Sequence, residues 1–191
     1  TFDDVTVNKD GGTFLDIGSG DTLVIVGTLR LVDGAVRVGT LDARGNATAS
    51  STFDGGSTAL LKFSGSTSSG LAVQTFDLTN ATGSYDGDIT VSKTGGQVTL
   101  LSDLRVDASS QDLTIASGTL DMAGKNIFAS GSAVTFAVQN GGNLQLQGGE
   151  TITTGSSTYP QLQTGSTVIY NGTSGTYILK DYTYYHLSLN G

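Results

Sequence analysis

Apolar residues in this chain recur in pairs two apart, with one residue between them. Val5/Val7, Leu23/Ile25, Leu29/Leu31 and Val36/Val38 set the pattern, with Phe14/Ile17 a spaced variant. Such alternation puts one side of a short strand against a core and the other against solvent. Gly or Asn closes most of these units, as in TFLDIGSG, DTLVIVG, TLRLVDG and TLDARGN, so turns are tight and frequent. The pieces are too short for sandwich strands with long crossovers. They suit the sides of a coil in which each strand turns a corner and stacks on the turn below. The expected fold is therefore all-β, a β-solenoid (parallel β-helix-like), with a β-sandwich pilin-like subunit as the alternative. Residues 46–75 hold Ser/Thr/Gly-rich segments around Ala59-Leu60-Leu61-Lys62-Phe63 and read as longer corner loops.

Self-similarity supports the coil. DVTVNKDGG, Asp4 to Gly12, returns as DITVSKTGG, Asp88 to Gly96, at an offset of 84 (88 − 4). TYYHLSLN, Thr183 to Asn190, restates TFDDVTVN, Thr1 to Asn8, at an offset of 182 (183 − 1). GTLDARGN, Gly39 to Asn46, corresponds to GTLDMAGKN, Gly118 to Asn126, with one insertion. These matches divide a single body, 1–191, into blocks 1–83 and 84–182, with 183–191 restating the first strand. At roughly twenty residues per turn the chain makes about nine turns, roughly 45 Å long at the inter-strand spacing.

GSTVIYNG…TYYHLSLNG, taken with GTLDMAGKN and DITVSKTGG, resembles the repeats of large bacterial surface and autotransporter-like adhesins. That resemblance implies a secreted parallel β-helix or related solenoid acting as stalk, adhesin or filament. It brings over no catalytic residue.

Composition narrows the classes. The chain has 28 Gly, one Pro, no Cys, no Trp and 14% charged residues, and Glu150 and Met122 are each the sole residue of their type. Few residues favour long helices, and almost no helix is expected. A net charge of −8 argues against nucleic acid, since phosphate binding needs a basic stripe. Without Cys there is no disulfide framework. No apolar run reaches transmembrane length and no signal segment is visible, so membrane insertion is not expected. The expected location is extracellular, at a cell surface.

Candidate chemistry is sparse. His186 is the only His, which removes His-based zinc sites and Ser–His relays. Asp10-Gly11, Asp33-Gly34 and Asp54-Gly55 read as turn residues. Asp86 and Asp88 are weak cation candidates, because hard cations need about six oxygens. Arg30, Arg37 and Arg44, seven apart, would fall on different sides of a three-sided coil and pair with Asp33 and Asp42. Asn46, Asn80 and Asn171 head Asn-x-Thr sequons. Neither an enzyme activity nor a cofactor is expected. Six of the seven Tyr lie between Tyr159 and Tyr185, as an end of the core or an interface.

The expected function is a filament or stalk subunit that binds copies of itself head to tail. Phe2, Val5, Val7, Tyr182, Tyr184, Tyr185, Leu187 and Leu189 are the expected assembly residues. A carbohydrate-binding adhesin, with surface glycans as partner, is the first alternative and a polysaccharide lyase or hydrolase the second.

Overall fold

A computed structural model describes residues 1–10, 12–66, 68–154, 160–173 and 178–190. Every strand pair among them is parallel, and they contain no helix. The fold is a β-solenoid of about seven turns. The parallel pairing excludes the antiparallel sandwich.

Strands are numbered in chain order. The first face stacks β1 (Val5–Asn8), β4 (Leu29–Asp33), β7 (Ala47–Ala49), β9 (Val73–Asp77), β10 (Ile89–Leu100), β12 (Asp112–Asp121), β15 (Gly142–Leu146), β18 (Thr167–Tyr170) and β19 (His186–Leu189). The second face stacks β3 (Thr22–Ile25), β6 (Thr40–Ala43), β8 (Leu60–Phe63), then the first halves of β10 and β12, then β14 (Thr135–Val138) and β17 (Gln161–Leu162). β10 and β12 serve both faces because they bend through the corner between them. On the third face β2 (Phe14–Asp16) pairs with β5 (Ala35–Arg37), and β11 (Leu104–Val106), β13 (Ile127–Ala129) and β16 (Ile152–Thr154) form a separate stack.

The two-residue alternation turns into columns along the coil. On the second face one inward column runs Leu23, Leu41, Leu61, Ile89, Leu113, Phe136, and its neighbour runs Ile25, Ala43, Phe63, Val91, Ile115, Val138, Leu162. Ala43 beneath Phe63 pairs a small residue with a large one, and Phe63 packs on Phe76 with ring centroids 5.2 Å apart. Between the two stacks of the third face the chain lacks a strand. Phe53 and Tyr85 fill the core there, both fully buried, and the Tyr85 hydroxyl donates to Ala59 O at 2.8 Å.

Coil length is less regular than twenty residues. Leu29 stacks on Ala47, 18 residues on, whereas Ala47 stacks on Phe76, 29 on. The Ser/Thr/Gly-rich segments on either side of β8 take up the excess, which is why the coil makes about seven turns rather than nine. The copies of the opening motif also occupy different sides. Val5 and Val7 lie on the first face, whereas Ile89 and Val91 lie on the second.

One corner shows how tightly coils approach. Gly27 lies one coil below Gly45, and a Cβ on Gly45 would collide with the Gly27 carbonyl oxygen. A Cβ on Gly149 would meet nothing. Gly45→Ala should therefore lower the free energy of unfolding by about 1–3 kcal/mol, the usual cost of overpacking. Gly149→Ala should change it by less than about 1 kcal/mol. Equilibrium denaturation of the two variants checks the contrast.

Candidate functional site: the open ends of the coil

Polar side chains inside a coil need partners, and here they are placed at corners. Between the second and first faces, the Lys93 ammonium is buried and donates to Gly65 O (2.7 Å), Leu71 O (2.9 Å) and Gln74 Oε1 (2.5 Å). The Gln74 amide in turn donates to Ala43 O and Gly45 O. Between the third and second faces, buried Gln111 donates to Tyr85 O (2.6 Å) and Gly87 O (2.8 Å). Between the first and third, the buried carboxylate of Glu150 accepts from the backbone N–H groups of Gly124, Gln147 and Gly148 at 3.1, 2.5 and 2.7 Å. At each of these three corners a buried side chain thus satisfies peptide groups of the turn.

A second device joins successive coils. The side-chain oxygen of an Asp or Asn just before a strand accepts the backbone N–H one coil on. Asp4 accepts from Thr28 N (2.6 Å), Asn46 from Thr75 N (2.9 Å), Asp88 from Asp112 N (2.8 Å), Asp103 from Asn126 N (2.7 Å) and Asn126 from Thr151 N (2.8 Å). This accounts for Asp88 as a coil link. Asp86 accepts from Ser84 Oγ at 3.0 Å, and no cluster of three or more metal-ligating side chains occurs among the described residues. Arg44 pairs with Asp42 at 3.1 Å, as its proximity in sequence suggested. Arg37 instead reaches Asp16, one coil below, at 3.1 Å and covers the Phe14 ring at 3.5 Å.

The two ends are built differently from the body. At the first, β1 is the outermost strand of face one, and Phe2 alone continues face two, its N–H donating to Val24 O and its carbonyl accepting from Val26 N. Val7 is buried, Val5 half-buried and Phe2 54% exposed. Phe2, Val5, Leu15 and Leu23 line a largely apolar recess of about 380 Å³ at the mouth of the core.

At the other end β19 is the outermost strand of face one. Leu187 ends the inward column Val98, Leu120, Leu144, Val168, yet it is 40% exposed, and Leu189 is 57% exposed. Among the described residues no further coil covers them. Tyr185 is exposed, its ring edge-on to His186 at 4.6 Å. The stretch 178–185 contains no strand and is tied down through buried Tyr170. Lys180 N donates to the Tyr170 hydroxyl (2.9 Å), which meets the Tyr184 hydroxyl at 3.1 Å, and Tyr184 donates to Lys180 O at 2.6 Å. Tyr182 stacks on Tyr184 with ring centroids 5.8 Å apart.

The expected assembly set therefore divides. Phe2, Val5, Tyr185, Leu187 and Leu189 present apolar surface at the ends, whereas Val7 belongs to the core and Tyr182 and Tyr184 to the tie-down. Tyr170, the anchor, was not singled out by sequence, although TVIY carries the alternation that turns it inward. Tyr159 lies outside the described residues.

The class is a three-sided parallel β-solenoid with exposed apolar side chains at both ends. Comparison with protein-family models, curated proteins and solved structures finds no match for the chain.

Burial lowers the Lys93 ammonium from 10.5 to about 8. Between those values the unfolded chain holds a proton that the folded chain has released, so stability rises with pH. Burial raises the phenols of Tyr85, Tyr182 and Tyr184 above their ordinary 10, Tyr182 to about 12. Above about pH 10 the unfolded chain loses phenolic protons that the folded chain keeps, and stability falls. The free energy of unfolding should climb from about pH 8 to pH 10 and then decline. Lys93→Met should lose the climb, and at pH 7 should be about 1–3 kcal/mol less stable through its orphaned oxygens. Chemical denaturation across this range reads both effects, and an identical slope in the two proteins between pH 8 and 10 would refute the assignment.

Proposed function

We propose that the chain is a structural segment of an extracellular filament or stalk, in which copies stack end to end by adding β1 of one to β19 of another. A single observation carries this reading. The two outermost strands of one continuous face restate each other in sequence, and each sits beside exposed apolar side chains. A strand edge presents unpaired N–H and C=O groups, and the strand best fitted to cover it is one with the same alternation. Stacking β1 on β19 brings Val5 and Val7 over Leu187 and Leu189 and joins two cores into one.

The likeness to surface-adhesin repeats supports an extracellular setting. Such an assembly works as a spacer: its length grows by one coil spacing per turn, and its stiffness comes from backbone pairing along the axis.

Electron microscopy and light scattering of the purified chain at rising concentration test the reading. The chain should form filaments one coil wide. Removing residues 182–191 should abolish them while circular dichroism still reports β structure. Leu187→Asp combined with Leu189→Asp should do the same while leaving the Tyr170 tie-down intact. Filaments that persist in the double variant, or a wild-type chain that stays monomeric throughout, would overturn it.

A further inference from the structure

The three Asn-x-Thr sequons are equivalent as motifs but not as places. Asn46 is half-buried at a corner, and its side-chain oxygen accepts the Thr75 N–H of the next coil at 2.9 Å. A sugar on its amide nitrogen would hang on a side chain that this bond already holds against the next coil. The side-chain oxygen of Asn171 is buried without a hydrogen-bond partner, the residue is half-buried, and its backbone N–H donates to Leu146 O at 2.8 Å, which holds it against the coil below. Asn80 differs on both counts. It is exposed in the turn closed by Ala81 N donating to Leu78 O at 3.0 Å, and its side chain makes no hydrogen bond.

A second feature lies beside it. Asn80 borders a recess of about 480 Å³ on the outer side of the first face, otherwise lined by Thr28, Arg30, Thr48, Ala49, Ser50 and Ser51. Hydroxyls and a guanidinium in an open trough suit a ligand with many hydroxyls and little apolar surface.

We infer that Asn80 is the chain's acceptor for an N-linked glycan and that the first sugar rests in this recess. The linkage forms between the Asn80 side-chain nitrogen and the anomeric carbon of an activated sugar. The nucleotide or lipid phosphate leaves, and the nitrogen gives up one proton. Thr82 completes the sequon and is exposed, but its hydroxyl donates to Phe53 O at 3.1 Å. That contact is the one the transferring enzyme must open. The inference is independent of end-to-end assembly, since the recess lies on the side of the coil.

The test uses the folded chain, a soluble N-glycosyltransferase and a UDP-hexose, with the urea-unfolded chain as control. Peptide mass mapping should find one hexose on Asn80 alone in the folded chain, and at all three sequons in the unfolded one. Thr82→Ala should lose the folded-state product. Hydrogen exchange at residues 28–30 and 48–51 should slow on glycosylation. Modification of Asn46 or Asn171 in the folded chain, or an Asn80 modified only when unfolded, overturns the acceptor assignment. Unchanged exchange at those residues overturns the seat.

Discussion

The parallel backbone ladder between coils is the constraint from which the rest follows. Each strand completes its hydrogen bonds only with the coils directly below and above, so the lateral surface is satisfied and the ends are not. A coil must also turn at corners without stranding peptide groups in the core. Lys93, Gln74, Gln111 and Glu150 meet that need from within, and the Asp and Asn residues before strands meet it from outside. Five such coil links, from Asp4 to Asn126, repeat one geometry with two residue types. Asp4, Asn46, Gln74, Asp88, Asp103, Gln111, Asn126 and Glu150 are thereby explained as structure.

Strands were legible because their signal is local. Leu29/Leu31 and Val98/Leu100 alternate as strands must, and their inward burial follows directly. Coil length was not legible, because a Ser/Thr/Gly run marks a corner without giving its path. The Ala47 to Phe76 coil absorbs 29 residues with the same turn vocabulary that closes an 18-residue one. Tyr85 and Phe53 were missed for a related reason. They are buried where a strand is missing from the third face, so no alternation announces them. Lys93 sits in a segment that reads as a strand running into a turn, and only the bend of β10 puts its ammonium inside.

The motif matches show what similarity means in this fold. DVTVNKDGG and DITVSKTGG share a strand followed by a corner, yet one lies on the first face and the other on the second. The similarity records a local rule: an Asx link, two inward apolar residues, then glycines for the turn. The match between the first and last strands says more, because both lie on face one at its opposite edges. Of the expected assembly residues, the ends of the chain were legible as a repeat. Their division into core, tie-down and exposed surface depended on Tyr170.

Electrostatics bears on how such ends meet. Asp3 and Asp4 precede β1, and Lys180 and His186 are the basic residues nearest β19 in sequence. Exposed pairs of this kind contribute at most about 1 kcal/mol and are screened by salt. In the proposed assembly, backbone pairing and apolar contact would therefore supply most of the joining energy, through Phe2, Val5, Leu187 and Leu189. Apolar contact is non-directional and fixes no register by itself. The N–H and C=O ladder fixes it, since a slip of one residue would turn Leu187 and Leu189 outward. Specificity at a joint would then reside in the backbone and affinity in the side chains, the same division that holds between any two coils of the body.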